Sequence, residues 1–443
     1  MSTIAAEQTI SHPAKVDAAI RRVTWRLIPF LTVLYIINYL DRINIGFAAL
    51  SMNKDLGLTA TAFGLATTIF YVGYVACEIP SNLLMARYGA RVWLSRIMIT
   101  WGIASAATML VRDTQSLYVI RFIVGVAEAG FVPGVLLYLT YWFPESHRAR
   151  ANGWVMMAQP FAMALGATAS GFIVDRTHGI MGIDGWRWMF FLEGIPAIFL
   201  GIAAFFYLTD RPEQSAWLDE DERGVVQRMV QSNRVPEAKR GSLLAQVLEP
   251  KVVLLAISYF ALVNTLNAVS TWGPTIVREV MQAYSLTQVG LVAAIAPMCT
   301  LVAMPLSVWS SDRTGERLWH LSGALMLAAV GWIVVIYSVE PVSRLLGLCA
   351  TTSGGFSAMA LFWTFPQRLI SPEARPAGIG LISAVGLMGS ALSPAVIGFL
   401  KDLTGSFAAG LFYATCLLFV SLFLVWTVVL MSRELERVPV EAK

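Results

Sequence analysis

The chain has 443 residues, 57% of them Ala, Val, Ile, Leu, Met, Phe, Trp, Tyr or Cys and only 14% charged, with a mean hydropathy of +0.65. Soluble domains are about 45–50% apolar, so too little polar surface remains to cover a water-soluble globule, which excludes a soluble enzyme. The 32 basic and 28 acidic residues leave +4, too weak and dispersed a charge for a nucleic-acid partner.

In chain order, the first 22 residues are polar, and the apolar run behind them already contains Asp41 and Arg42. It therefore lacks the uncharged core of a cleaved signal peptide. A bilayer core about 30 Å thick needs about 20 apolar residues at 1.5 Å each. Stretches of that length fall at 23–50, 60–86, 92–111, 115–142, 150–174, 187–209, 252–277, 286–310, 318–339, 342–369, 377–400 and 407–430. The predicted fold is an all-α integral membrane protein of twelve transmembrane helices in two six-helix bundles. A tail occupies 1–22, the first bundle 23–209, a charge-dense linker 210–251, the second bundle 252–430 and a second tail 431–443. Cys77, Cys299, Cys349 and Cys416 each lie in an apolar run with no CxxC spacing. They read as small membrane-helix residues, neither disulfides nor metal ligands.

Cytoplasmic loops retain the excess of Lys and Arg. With both termini inside, the inner side holds 23 of the 32 basic residues and the outer side 7, the other two being Arg42 and Arg121 within helices. A repeat supports the two halves. RYGAR at 87–91 and RTGER at 313–317 both read RxGxR, 226 residues apart, after the second and eighth spans. Glycine permits the tight turn, and the flanking arginines can bond helix-end carbonyls on the cytoplasmic side. Arg87, Arg91, Asp312, Arg313 and Arg317 are thus the gating candidates. Two such halves, with substrate held between them near the midplane, are the architecture of major facilitator transporters.

An ionisable residue at the bilayer centre costs roughly 2.5–3.5 kcal/mol on insertion scales, so each needs a reason. Four are counted inside the spans: Asp41, Arg42, Arg121 and Glu128. By rise along the helices, Asp41 lies about 9 Å and Arg121 about 6 Å below the outer face, level within error, while Glu128 lies near the midplane. Arg121 and Glu128, seven residues apart, share a helix face. One reading is a structural Asp41–Arg121 ion pair. The other assigns the arginines to an anionic substrate, since guanidinium grips carboxylate bidentately, and the carboxylates to protons whose affinity changes as substrate reaches the arginines.

These residues lie in LDRINIGFA (40–48) and RFIVGVAEAGFVPG (121–134). With IPSNLL (79–84), RARAN (148–152), GWRWMFFLEGIPA (185–197) and LKDLTGSF (400–407), they make the chain resemble the anion:cation symporter family of the major facilitator superfamily, which includes phthalate, tartrate, aldonate and 4-hydroxyphenylacetate permeases. The resemblance implies proton coupling at Asp41 and Glu128, and substrate binding or charge relay at Arg42 and Arg121. YFALVNTLNAVSTWGP (259–274), FSAMALFW (356–363) and GSALSP (389–394) look most like the 4-hydroxyphenylacetate permease subgroup. A phenolic monocarboxylate needs a cation, stacking partners and a neutral hydrogen-bonding group. Tyr35, Tyr39, Tyr71, Tyr74, Tyr138, Trp272 and Trp363 are candidate stacking residues, and Asn264 and Asn267 could meet the hydroxyl. Helix packing is the competing reading for each aromatic and each asparagine.

Two positions depart from the pattern. Ala86 precedes Arg87 where the superfamily usually has an acid, whereas the second half keeps Asp312, and SAVGL (383–387) supplies leucine where relatives with sugar-acid substrates carry asparagine. The expectation is proton-coupled import of an organic carboxylate, 4-hydroxyphenylacetate first, by a monomer in a bacterial inner membrane with no cofactor beyond the proton. Tartrate or another non-aromatic anion is the alternative. Exchange and a transporter-like sensor rank lower, since the fifth span lacks GxxxGPxxGG and no large soluble domain accompanies the helices.

Overall fold

The computed structural model describes residues 13–232, 248–371 and 374–437. The expectations for 1–12, for the linker over 233–247 and for 438–443 lie outside the described residues. Described in chain order are α1 (Pro13–Asp55), α2 (Ala60–Tyr88), α3 (Ala90–Ala107), α4 (Thr114–Glu128), α5 (Phe131–Trp142), α6 (Glu145–Met156), α7 (Ala158–Thr177) and α8 (Gly185–Tyr207). After α9 (Glu220–Ser232) come α10 (Pro250–Val280), α11 (Leu286–Thr314), α12 (Leu318–Tyr337), α13 (Pro341–Phe362), α14 (Thr364–Leu369), α15 (Arg375–Thr404) and α16 (Ala408–Arg437). Among the described residues, eleven helical stretches are long and apolar enough to cross a membrane. The remaining predicted span is α3, 18 residues or about 27 Å long, which contains Arg91 and Arg96. The twelve spans form the two six-helix bundles that the periodicity predicts.

Three spans are each two helices. The fourth breaks between α4 and α5 at Gly130, which adopts φ +86°, so the helix ends at Glu128. The fifth breaks at Met157, between α6 and α7, and the tenth at Trp363, between α13 and α14. In the first half α3 packs on α8, α2 on α4 and α1 on α7; in the second α12 packs on α13 and α10 on α15 and α16. Across the halves run α2–α15, α7–α11 and α1–α10.

The cross-half contacts close the face away from the chain termini, here the far face. Asp402, at the end of α15, accepts hydrogen bonds from the backbone N–H of Ala60 (3.1 Å) and Thr61 (2.7 Å) and from the Thr61 hydroxyl (2.6 Å). Asp175, at the end of α7, does the same to the start of α11: Leu286 N–H at 3.4 Å, Thr287 N–H at 3.1 Å and Thr287 Oγ1 at 2.7 Å. A carboxylate on a helix N-terminus meets both unsatisfied N–H groups and the positive end of the dipole. Beneath these clamps the helices touch through glycine. A Cβ at Gly64 would run into the Pro394 carbonyl, and one at Gly290 into that of Ala167.

The clamp is a second internal repeat, and sequence reading missed it. Thr59-x-Thr61-x-x-Gly64 matches Ser285-x-Thr287-x-x-Gly290 at an offset of 226, and GFIVDRT at 171–177 matches GFLKDLT at 398–404 at 227. Thr59 and Ser285 are the respective N-caps.

Candidate functional site

The polar centre of the first half gathers on α1, where Asn38, Asp41 and Asn44 lie one turn apart and are all buried. Spacing of three residues places side chains on one helix face. Glu128, fully buried at the end of α4, accepts from Arg42 Nε at 2.5 Å and from Asn38 Nδ2 at 2.8 Å. Its other oxygen and Arg42 Nη2 have no hydrogen-bond partner. The Arg42 guanidinium also sits over the Tyr74 ring, 4.8 Å from its centroid, which a cation favours. Asp41 accepts from Trp101 Nε1 (2.7 Å), Asn44 Nδ2 (3.1 Å) and the Ser105 hydroxyl.

Arg121 is buried and lies over Phe70 at 4.7 Å, with its Nε unpartnered. It is electrostatically coupled to Asp41. Among the described residues no Asp41–Arg121 salt bridge forms; the contact pair is Arg42–Glu128, so the structural pair that is one of the two readings is not the one made. The reason is lateral: α1 turns Asp41 toward α3, while the next residue, Arg42, points at the break after α4.

The four-residue inventory of membrane charges needs correction. Glu193 on α8 is 5% exposed and accepts from the Ser170 hydroxyl on α7 at 2.7 Å. It stands in the GWRWMFFLEGIPA motif, where the surrounding aromatics drew attention away from the acid. Asn38, Trp101, Ser105 and Gln159 were also missed. Each is an ordinary helix residue in sequence, and only the packing aims it inward.

An aromatic wall faces this cluster. Tyr35 and Tyr39 stack with centroids 6.3 Å apart, and Gln159 Nε2 donates to Tyr39 Oη at 2.5 Å. From the second half, Tyr259 packs edge-on to Trp363 at 4.9 Å and lies near Tyr35 and Tyr39. Tyr71 meets Phe70 edge-on at 5.1 Å and is electrostatically coupled to both arginines. Tyr35, Tyr39, Tyr71, Tyr74 and Trp363 are thus brought together with Arg42, and Tyr259 joins them unforeseen.

Trp272, Asn264 and Asn267 do not join this cluster. Trp272 is 1% exposed, wedged between Phe63 (5.2 Å) and Phe407 (5.1 Å) where it plugs the closed far face. Asn264 donates to the Gly389 carbonyl (3.3 Å) and to Tyr413 Oη (3.1 Å), and Asn267 to the Ser390 carbonyl. Both asparagines fasten α10 to α15, the helix-to-helix bonding that competes with substrate contact in an apolar interior. Tyr138 donates to the Thr209 carbonyl at 2.8 Å and is likewise structural.

At the near face, Asp312 pairs with Arg317 inside its own turn, where Arg317 also bonds Ser311 Oγ at 3.1 Å. Arg87 lies over Tyr88 at 5.7 Å, Arg91 over Phe205 at 4.6 Å and Arg313 over Trp309 at 5.4 Å. In the first of these turns Asp210, after α8, accepts from the backbone N–H of Arg91 at 2.8 Å. A Cβ at Gly89, φ +89°, would collide with that carboxylate.

With fold and cluster defined, the class is that of a membrane transporter built from two helical bundles. The family model described as Major Facilitator Superfamily matches residues 31–394, and the chain belongs to that superfamily. Two Agrobacterium vitis proteins, each named "Putative tartrate transporter", are 42% identical to it, one over 91% of this chain and 92% of its own length, the other over 91% and 89%. Among solved structures, a bacterial homologue of the human lysosomal transporter Spinster, inward-facing and unoccupied, superposes with TM-score 0.75 at 16% identity, covering 93% of this chain and 97% of that one. That likeness concerns the fold alone. The chain is a multi-pass membrane transporter of small molecules.

Proposed function

We propose that the chain imports a small organic carboxylate together with protons by alternating access, from a bacterial inner membrane, with both termini cytoplasmic and the far face outermost. The observation that carries this reading is the buried Arg42–Glu128 contact at 2.5 Å, with one atom of each partner unsatisfied. A substrate carboxylate competes with Glu128 for Arg42. Once displaced in a low-dielectric site, Glu128 gains proton affinity, because burial disfavours its charge and the cation no longer offsets it. Anion and proton then cross together; with one proton a monocarboxylate makes a neutral load and a dicarboxylate a singly negative one. Arg121, with Asp41 as its partner in charge, provides the second cation, and Tyr35, Tyr39, Tyr71, Tyr74 and Trp363 form the apolar wall. The Asp175 and Asp402 clamps act as the outer gate, and the RxGxR turns with Asp210 and Asp312 as the inner gate. The protein works as a monomer, and the proton serves as coupling ion with no further cofactor.

Two guanidiniums beside one Phe70 ring suit a dicarboxylate, and the Agrobacterium vitis relatives carry the name of tartrate, so tartrate-like acids rank first. The engagement of Asn264 and Asn267 in helix packing weakens the phenol site that 4-hydroxyphenylacetate would use. The aromatic wall is the specific feature that keeps this acid as the second reading. Binding of labelled tartrate and, in parallel, of labelled 4-hydroxyphenylacetate to purified protein in detergent, each displaced by both classes of acid, separates the two. Competition by hydroxy-dicarboxylates but not phenylacetates supports the first reading, and the reverse order supports the second. Binding of neither class, with unchanged behaviour in Arg42→Ala, overturns the carboxylate site.

A further inference from the structure

Among the described residues, no cation pairs with Glu193. Arg42 is taken by Glu128, and Arg121 is placed between Glu128 and Asp41 in charge. On the elements packed against α8, the groups facing Glu193 are few. From α1 come Asp41, coupled to it by charge, and Asn44, whose side chain reaches it; from α7 comes Ser170. On α3, Trp101 and Ser105 are turned to Asp41, and Gly102 and Ala106 lie against Gly194. Arg187, six residues away on α8 itself, is held by the carbonyls of Met109 (2.7 Å) and Val111 (2.5 Å) and by Asp55 (3.3 Å). Asp175 on α7 is committed to α11 at the far face.

Two buried acceptors here have no donor: Glu193 Oε2 and Asn44 Oδ1. Buried oxygens without hydrogen are costly, and one proton on the carboxyl supplies the missing donor. Asn44 meanwhile gives its N–H to Asp41. We propose that Asp41 and Glu193 hold a single proton between them, resting on Glu193, and that the Asn44 side chain, bonded to Asp41 and reaching Glu193, bridges the two acids. When the proton leaves Glu193 for an Asp41 carboxylate oxygen, the pair's charge is unchanged. Two interacting acids titrate as a pair. Its consequence for transport rests on the proton-coupled reading above: Glu193 is then a reservoir that recharges Asp41.

The location of the proton is read without substrate. Infrared spectra of proteoliposomes at neutral pH should show a protonated-carboxyl carbonyl band in wild type that is lost in Glu193→Gln and present but shifted in Asn44→Val. A band unchanged in Glu193→Gln overturns the proposal. Gln preserves the bond to Ser170, so the helices stay packed, and substrate counterflow without a proton gradient checks this. Gradient-driven uptake should fall at least tenfold in both variants while counterflow persists; wild-type gradient-driven uptake in either variant overturns the reservoir role. Absence of gradient-driven uptake in the wild type would instead sink the proton-coupled reading, and the infrared result would still decide where the proton sits.

Discussion

Glu128 illustrates how one side chain can be both a lock and a switch. With Arg42 and Asn38 on one oxygen and nothing on the other, its removal strands a buried guanidinium. Breaking one side of a buried pair costs about 3–5 kcal/mol. Glu128→Ala should therefore lower the thermal midpoint in detergent markedly, and Glu128→Gln, which keeps hydrogen-bond acceptance, by less; equal losses would mean that the charge of Glu128 makes the whole contribution and hydrogen-bond acceptance none of it. Arg121→Ala is expected to abolish carboxylate binding with a smaller stability loss, measured by the same displacement assay and thermal scan. The four charges were legible in the sequence because each stands in an apolar run within reach, by depth, of an opposite charge. Their pairing was not, because rise along a helix gives depth, whereas the partner is chosen by azimuth and by the break at Gly130. Glu193 was overlooked for want of a neighbouring charge, the property that now makes it interesting.

Among the helices, the informative contrast is between the far and near faces. At the far face two aspartates clamp two helix starts across the halves, each such charge–dipole contact contributing about 0.3–1 kcal/mol at an exposed position. Asp175→Ala and Asp402→Ala together should widen the α7–α11 and α2–α15 distances in a substantial fraction of molecules, read by spin-label distances across that face. A distribution like that of the wild type would show the clamps to be dispensable. Gly290→Leu should act more strongly, since even a Cβ meets the Ala167 carbonyl; its distance distribution should shift toward far-face opening, with uptake lost. The helices themselves were readable from hydropathy, and most ends lie within about five residues of the expected boundaries, but α1 begins at Pro13, ten residues inside the expected tail, and α16 runs to Arg437, seven past the expected end. The clamp repeat was also there to be read, as TxTxxG against SxTxxG, but polar residues at helix ends resemble ordinary caps until two halves face each other. Trp272 misled for the complementary reason: an aromatic on a cavity-side helix fills a gate as readily as it stacks on a ligand.

For the molecule as a whole, composition alone excluded a soluble protein, and the RxGxR repeat gave the two-bundle plan that the fold and superfamily membership bear out. The choice among carboxylates was less accessible, because it depends on which polar groups remain free after the helices have satisfied one another, and Asn264 and Asn267 do not remain free. The account centres on obligatory movement of protons with the anion. It is tested most directly by proteoliposomes holding a pH-sensitive dye, to which tartrate or 4-hydroxyphenylacetate is added with no gradient imposed. The lumen should acidify as the transported acid enters through wild type, and neither acidification nor uptake should occur with Glu128→Gln. Anion accumulation without acidification, or acidification that survives in Glu128→Gln, would contradict it.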